Sequence, residues 1–205
     1  GDLTTNITIP ADAVFQASMV AREEIVVCGI DIAMQTFEMM VDDFEGVKKV
    51  EDGAKVAKGT ILATVSGNAR SILAAERTAL NILQHLSGIS TEVRKYVEAV
   101  EGTPATMIDT RKTIPTLRNL AKYASFTGGA RNHRIRLDDG VLIKDNHIAA
   151  AGSLTATVER AQRATPALTV IEVECDTLEQ VAEAAASKVD MILLDNMEAS
   201  MMKQA

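Results

Sequence analysis

Short apolar runs in the second half of the 205-residue chain alternate with helical stretches. A first run near residue 105 is followed by three that begin about 25 residues apart, and the four read ATMID, VLIKD, TVIEVEC and MILLDN. Strands that alternate with helices form parallel β/α sheets or barrels. Near-continuous apolar strands are typical of a sheet that is buried on both faces. The pattern therefore predicts a parallel α/β domain.

Each of these four runs ends at charged residues, which are Asp109 with Arg111 and Lys112, then Lys144, Glu174 and Asp195. In β/α barrels the active site is built at the C-terminal ends of the strands, so these residues form a candidate catalytic rim. Asp195 could instead cap a helix, as we expect Asp176 to do with Glu179 three residues later. Glu172 and Glu174 share one face of a strand, where two buried carboxylates are costly without a cation.

Positive charge is concentrated between residues 109 and 147, although the chain has a net charge of −7. Eight Lys and Arg residues against four Asp residues give this window a charge of +4, whereas residues 1–108 carry −6 and residues 148–205 carry −5. Charge that is this local indicates a site for an anion. The acidic total argues against nucleic acid as the main partner.

Adjacent cations recur within this window. Arginine binds carboxylate or phosphate through a rigid fork of donors and lysine supplies a mobile charge, so several of them suit a ligand with several negative charges. We expect this ligand to be bound by Arg111, Lys112, His133, Arg134 and Lys144. For three other cations a solvated surface is an equally good interpretation, namely Arg118, Lys122 and Arg136.

The carboxylates of Glu174 and Asp195 would repel such a ligand unless a hard cation lay between them. Mg²⁺ commonly uses one or two carboxylates together with substrate phosphates. The residues alone therefore favour a polyanionic substrate bound with magnesium.

The first half of the chain has a different pattern. Residues 19–27 and 60–66 are rich in β-branched side chains and predict strands, with glycine turns between them. Residues 70–100 carry apolar side chains at spacings of three and four, which predicts a helix that Gly88 could divide in two. These elements predict a small α/β layer.

A Gly-Thr-Pro break at residues 102–104 predicts two domains, 1–101 and 102–205. No apolar run approaches the roughly 20 residues that a membrane span needs, so we expect no membrane partner. Cys28 and Cys175 lie far apart in apolar contexts, and we expect two buried free thiols in a reducing cytoplasm, with a single disulfide as the alternative.

Nine motifs occur in an order that can be compared with known families, and they read GDLTT, ARE, AERTALNILQHLSGIST, DTRKTIPTLR, KYA, GGARNHR, LDDGVLIKDNH, IEVE and LLDNM. In this order they resemble the quinolinate phosphoribosyltransferase family. The resemblance implies a cytoplasmic transferase of NAD biosynthesis. Its reaction joins quinolinate to phosphoribosyl pyrophosphate and yields nicotinate mononucleotide, carbon dioxide and pyrophosphate.

The resemblance also implies a fold, with an N-terminal α/β sandwich-like domain followed by an open α/β barrel of the type II phosphoribosyltransferases. Members continue beyond the point that corresponds to Ala205, so we expect the barrel to be truncated here. Their assembly is a homodimer or a hexamer of dimers.

The resemblance assigns roles residue by residue. The family's dicarboxylate pocket corresponds to Arg111, Lys112, His133, Arg134 and Lys144, and Arg77 corresponds to an arginine that the neighbouring subunit inserts. The acids that hold the magnesium-pyrophosphate end correspond to Glu174, preferred over Glu172, and Asp195. The catalytic set is then Lys112, Lys144, Glu174 and Asp195.

Two alternatives remain open. One is a paralogue that keeps the fold and takes another substrate, such as the relatives associated with molybdenum transport. The other is a non-catalytic carrier, because VEDGAKVAKGTILATVSG loosely resembles a biotinyl or lipoyl domain. A carrier lysine normally lies within a hydrophobic or acidic signature that Lys55 and Lys58 lack, and a carrier would leave residues 102–205 unexplained.

Overall fold

A computed structural model describes residues 2–205, and Gly1, the first residue of the GDLTT motif, lies outside the described residues. The chain forms two compact units, one ending at His133 and the other beginning at Arg134. The residues just after the predicted boundary stay with the first unit, because the helix at 118–127 packs against the long helix at 69–99. The domain boundary at 101/102 stays a prediction.

The first unit contains four helices and five strands among its described residues. In chain order these are α1 (Leu3–Thr8), β1 (Val14–Val20), β2 (Ile25–Val26), α2 (Ile30–Met40), β3 (Glu45–Lys48), β4 (Lys55–Val56), β5 (Ile61–Asn68), α3 (Ala69–Ala99) and α4 (Arg118–Thr127). An antiparallel sheet has the order β1-β5-β3, and β2 pairs with β4. The sheet packs on α2 and α3 around a core that includes Ile30, Phe37, Ile72 and Leu83.

The helix α3 is continuous through Gly88. Its N-cap Asn68 accepts a hydrogen bond from the Ser71 backbone at 3.2 Å, and one face buries side chains from Ala69 to Ser90 at helical spacing. A helix over 70–100 is confirmed and the division at Gly88 is not found. Burial of a whole face outweighs the roughly 1 kcal/mol that one glycine costs a helix.

The predicted strands of the first half are confirmed only in part. Residues 61–66 of the predicted strand 60–66 lie in β5, but residues 19–27 do not form one strand. Instead β1 begins at Val14 and shifts register between Met19 and Val20, and the chain leaves the sheet after Ala21. Ile25 and Val26 belong to the separate pairing of β2 with β4.

The second unit is built on a parallel sheet. Its elements are β6 (Val141–Ile143), α5 (Asp145–Ala151), α6 (Leu154–Ala164), β7 (Ile171–Cys175), α7 (Leu178–Ala186), β8 (Met191–Leu194) and α8 (Ala199–Met202). The strands have the order β6-β7-β8 and bury Ile143, Val173 and Cys175 against helices. The predicted parallel α/β arrangement is confirmed for these three strands.

Helix caps in this unit differ from two of the expectations. The cap of α7 is Thr177, because its hydroxyl accepts from the Gln180 backbone while the Gln180 side chain accepts from the Thr177 backbone, so Asp176 is not the cap. The cap of α8 is Glu198, which removes the helix-cap interpretation of Asp195.

Both cysteines are buried free thiols, as predicted. Burial raises the pKa of each thiol, which disfavours the reactive thiolate. Among residues 2–205, no helix is both long and apolar enough to cross a membrane.

Candidate active site

The carboxylate of Asp109 organises the charged residues of the first unit. It accepts from Lys122 Nζ at 2.5 Å, from Asn132 Nδ2 at 2.8 Å and from the His133 backbone N–H at 2.8 Å. The His133 carbonyl also accepts from Lys122 Nζ at 3.3 Å. Because Arg111 lies two residues after Asp109, this contact brings the Arg111–Lys112 and His133 segments together.

The predicted strand at 105–109 is reduced to a single parallel bridge between Ile108 and Arg131. Two backbone hydrogen bonds form it, from Arg131 to Met107 at 2.9 Å and from Asp109 to Arg131 at 3.1 Å. A regular parallel ladder would continue with the His133 N–H on the Asp109 carbonyl. The Asp109 carboxylate takes that N–H instead, so the ladder ends where the charged residues begin.

A cavity of about 240 Å³ opens beside this segment. Charged and polar side chains contribute to its wall, namely His85, Asp109, Thr110, Lys112, Thr113 and Ser125. Lys112 is exposed. The predicted substrate residue Lys112 therefore faces space that a small ligand could enter.

Two predicted site arginines have a buried side-chain nitrogen with no partner. Within residues 2–205, Nε of Arg111 and Nε of Arg134 are shielded from solvent and make no hydrogen bond, as is also true of Arg118 Nε and Thr113 Oγ1. A buried donor without an acceptor costs about 1–3 kcal/mol, and more when charged. These nitrogens are therefore suited to an acceptor supplied by a bound anion.

The three cations that could equally have been surface residues have different environments. The side chain of Lys122 is only 4% exposed and forms the ion pair with Asp109. The interpretation of Lys122 as a solvated surface residue is therefore wrong. Arg136 is 75% exposed beside Asp138 at 3.4 Å, which confirms a surface role. Arg118 is half-buried.

In the second unit, Arg134 begins a loop that its own side chain closes. Arg134 Nη1 donates to the Gly140 carbonyl at 2.9 Å. Desolvation raises the pKa of the Asp139 carboxyl, but the backbone N–H groups of Ile135, at 2.7 Å, and Arg136, at 3.3 Å, donate to it and help to make the net shift a lowering. This loop leads directly into β6 and Lys144.

Lys144, Glu174 and Asp195 lie at the C-terminal ends of the three parallel strands. Lys144 Nζ donates to Glu174 Oε2 at 2.5 Å, and the Glu174 side chain is 14% exposed. Glu174 pairs with Leu193 across β7 and β8, and the Asp195 N–H continues that pairing to the Cys175 carbonyl at 3.0 Å. Glu174 thus lies within the last two residues of β7, and Asp195 directly follows the neighbouring strand β8, so both acids lie at the ends of neighbouring strands, as predicted.

Carboxylate oxygens are suitable ligands for Mg²⁺, and Glu174 and Asp195 supply them on adjacent strands. In the part of the chain that the structure describes, no group of three or more His, Cys, Asp or Glu side chains could hold a metal. Because Mg²⁺ usually takes one or two carboxylates and completes its shell with water and substrate phosphates, a two-carboxylate arrangement fits it.

Arg77 takes no part in the hydrogen bonds and ion pairs described above. It is exposed on α3, and no hydrogen-bond or ion-pair partner for it is found within residues 2–205. The chain itself thus gives Arg77 no local anchor.

Two residues of this site were not found from the sequence. His147 accepts the Lys144 backbone N–H through Nδ1 at 2.9 Å and so fixes the start of α5 next to Lys144. Lys144 and His147 do not have the Ser/Thr and Glu/Gln residues of a capping box, so the sequence carried no recognisable signal for this contact. Asn132 bridges Asp109 and the Lys122 carbonyl at 2.9 Å, and no local pattern announces this contact.

Comparison with known proteins covers nearly the whole chain. Residues 2–87 match the family model of the quinolinate phosphoribosyl transferase N-terminal domain, and residues 89–205 match that of the C-terminal domain. These matches leave no support for the carrier alternative, because the segment with Lys55 and Lys58 lies within the N-terminal match.

Relatives of known name agree with this. The chain is 47% identical over 197 residues to the nicotinate-nucleotide pyrophosphorylase [carboxylating] of Mycobacterium leprae, covering 95% of this chain and 69% of that protein. It is 46% identical over 190 residues to a probable enzyme of the same name from Synechocystis, covering 93% and 64%. The chain thus spans about two thirds of the length of these relatives.

Solved structures give the same result. The Ehrlichia chaffeensis nicotinate-nucleotide pyrophosphorylase superposes with a TM-score of 0.94 at 40% identity, covering all of this chain and 74% of that one. NadC from Streptococcus pyogenes superposes with a TM-score of 0.91 at 38% identity, covering 99% and 72%. The chain therefore belongs to the quinolinate phosphoribosyltransferase family, the carboxylating nicotinate-nucleotide pyrophosphorylases of NAD biosynthesis.

Proposed function

We propose that this chain transfers the phosphoribosyl group of phosphoribosyl pyrophosphate to quinolinate and removes one ring carboxylate. The products are nicotinate mononucleotide, carbon dioxide and pyrophosphate. The observation that carries the residue assignment is the pair of buried, unpartnered Nε donors of Arg111 and Arg134. A carboxylate of quinolinate is the kind of acceptor that each of these donors lacks, and a hydrogen bond from a guanidinium to a carboxylate is charge-assisted.

Quinolinate has two carboxylates on adjacent ring carbons, and five cations suit them. We propose that it is bound by Arg111, Lys112, His133, Arg134 and Lys144, with Arg77 supplied by a second subunit. The cavity of about 240 Å³ lined by Lys112 and Thr113 supports the placement of a small ligand beside the first unit's part of this set. Guanidinium forks and ammonium groups offset the repulsion between two polyanionic substrates.

The chemistry requires positioning more than proton transfer. When pyrophosphate leaves, the bond from its oxygen to the ribose carbon breaks, and the pyridine nitrogen attacks the carbon as it gains oxocarbenium character. The new cationic ring then accepts the electron pair left by loss of the adjacent carboxylate as carbon dioxide, and the ring carbon takes up a proton. Fixed cations such as Lys112 and Lys144 hold the reacting groups in place in advance.

We propose that Glu174 and Asp195 hold Mg²⁺. When bound, Mg²⁺ neutralises the charge that develops on the departing pyrophosphate. Lys144, which donates to Glu174 Oε2 at 2.5 Å, limits the repulsion between these acids and a polyanion. Glu174 keeps its second oxygen for the cation, and Glu172 lies deeper in the strand, where it is buried.

Further details are proposed for the assembly. We propose that β6, β7 and β8 belong to an open α/β barrel, and that the enzyme is a cytoplasmic homodimer or hexamer of dimers. Exposure of Arg77 and its lack of a partner within residues 2–205 support its sharing between subunits.

Binding calorimetry tests the substrate assignment and separates it from a paralogue with another substrate. Quinolinate should bind the full-length protein at least about tenfold more tightly than nicotinate, which lacks one carboxylate, because each charge-assisted contact contributes about 1.5–3 kcal/mol. Equal binding of the two acids would refute the dicarboxylate site.

A further inference from the structure

The ion pair of Asp109 and Lys122 is buried and has no part in the chemistry proposed above. The Asp109 side chain is 9% exposed and that of Lys122 4%. Buried ion pairs add little net stability, because desolvation of both charges offsets their attraction. The pair therefore calls for an explanation beyond stability, and its other contacts provide one.

Both members of the pair hold the backbone of one segment. Asp109 Oδ1 accepts the His133 N–H at 2.8 Å, and Lys122 Nζ donates to the His133 carbonyl at 3.3 Å. Asp109 Oδ2 accepts from Asn132 at 2.8 Å. Both backbone polar groups of His133 are thus fixed by the two charges.

The segment enters this arrangement from a constrained turn. A Cβ on Gly128 would lie 2.8 Å from the Ser90 carbonyl oxygen, and Gly129 has a φ of +105°. Arg94 Nε donates to the Gly128 carbonyl at 2.8 Å. The start of the segment is thus fixed on α3, and the bridge between Arg131 and Ile108 aligns its middle.

Beyond Arg131 the backbone ladder stops, and the carboxylate of Asp109 replaces the carbonyl that would accept the next N–H. A carboxylate reaches farther than a carbonyl, so the chain can diverge here without losing its hydrogen bond. We infer that Asp109, neutralised by Lys122, is a positioning residue of the quinolinate site that acts through His133. This inference rests on the proposed function.

Asp109→Asn tests it in the full-length enzyme, with rates of carbon dioxide release measured at varied quinolinate. The KM for quinolinate should rise about tenfold or more, because a misplaced cation loses most of a charge-assisted contact. The kcat should change by less than about threefold. Asp52→Asn is the matched control, since Asp52 also accepts two backbone N–H groups, of Gly29 at 2.8 Å and Ile30 at 3.0 Å.

Asp52→Asn should lower the melting temperature and leave the KM for quinolinate within about twofold of wild type. A purely structural role for Asp109 would give the same result as this control. An unchanged KM in a folded Asp109→Asn enzyme would therefore overturn the inference.

A double variant tests whether Asp109 acts through His133. His133→Ala should itself raise the KM for quinolinate, and adding Asp109→Asn should raise it by less than about twofold more, because residues that act as one unit are not additive. Additive effects would overturn the inference.

Asn132→Ala provides a milder variant should Asp109→Asn fail to fold, because Asn132 is exposed and its loss leaves the ion pair intact. It should raise the KM for quinolinate about three- to tenfold. No rise here, with His133→Ala still impaired, would overturn the positioning role alone. No rise in His133→Ala would overturn both the proposed site and this inference.

Discussion

At the scale of single residues, the main support for the proposed anion site is that two arginines each have a buried guanidinium donor without an acceptor. Nε of Arg111 and of Arg134 is shielded from solvent without a partner within residues 2–205, although Arg134 does donate through Nη1 to Gly140. The free protein therefore carries a desolvation cost that an anionic ligand can offset on binding.

Arg134→Ala should weaken quinolinate binding without unfolding the protein. Loss of a charge-assisted contact costs about 1.5–3 kcal/mol, or about 10- to 150-fold in affinity by calorimetry. Arg136→Ala is the control, because Arg136 is two residues away and 75% exposed. The affinity of this variant for quinolinate should stay within about twofold of wild type. Equal losses in the two variants would indicate a general charge effect.

The sequence revealed the charged residues at strand ends because each follows an apolar run directly. It did not reveal that Lys122 is buried, since Lys122 lies on a helix whose partner, Asp109, is 13 residues away. The roles of Asn132 and His147 depend likewise on which side chain or backbone group meets them after folding. Local patterns predict which residues are charged, and tertiary contacts decide which become buried.

At the scale of elements, α3 and the parallel sheet show which predictions periodicity supports. The long apolar stripe predicted the bounds of α3 to within one residue, and the repeat of apolar runs predicted β6, β7 and β8. The short strand pairs of the first unit were harder to predict from the sequence, because β2 and β4 are only two residues each and are stabilised by tertiary contacts. A prediction from strand propensity alone therefore treated β2 and the end of β1 as one strand.

Gly88→Ala tests the continuity of α3. A Cβ at this exposed position meets nothing within 4 Å, so alanine should raise the free energy of unfolding by about 0.5–1 kcal/mol in chemical denaturation. Gly128→Ala should lower it, because its Cβ would approach Val93 and the Ser90 carbonyl within 2.8 Å. A destabilising Gly88→Ala would argue for a break in the helix.

The proposed magnesium ligands, Glu174 and Asp195, lie at the ends of β7 and β8. Replacing Glu174 and Asp195 by their amides should weaken the magnesium dependence of phosphoribosyl pyrophosphate binding, because neutral amides are poorer ligands than carboxylates. Calorimetry with and without Mg²⁺ measures this. Quinolinate binding should be nearly unchanged, and equal loss of both ligands would instead indicate a structural role.

At the scale of the whole molecule, the residues that we propose for substrate and magnesium binding are divided between the two units, and we propose that Arg77 comes from a second chain. Arg77, Arg111, Lys112 and His133 lie in the first unit, whereas Arg134, Lys144, Glu174 and Asp195 lie in the second. Charge and strand ends predicted every member of this set except Arg77, which only the family resemblance assigns, because charge and spacing do not show which chain supplies it. Sharing between subunits is therefore tested by its consequences for activity.

Subunit exchange tests the role of Arg77. Inactive Arg77→Ala and inactive Lys144→Ala enzymes are mixed in equal amounts and allowed to exchange. If each site takes Arg77 from one chain and Lys144 from the other, heterodimers have one intact site, and random mixing restores about a quarter of wild-type activity. Activity that stays at the mutants' baseline, with exchange verified by mass spectrometry, would show that Arg77 serves its own chain.

The central claim is phosphoribosyl transfer to quinolinate with loss of a carboxylate, and release of labelled carbon dioxide measures it most directly. Quinolinate labelled in the carboxylate next to the ring nitrogen is incubated with the full-length protein, phosphoribosyl pyrophosphate and Mg²⁺. We predict one carbon dioxide for each nicotinate mononucleotide and pyrophosphate formed, and none when phosphoribosyl pyrophosphate is omitted. Phosphoribosylation of nicotinate in preference to quinolinate, or no labelled carbon dioxide from an intact enzyme, would contradict the account.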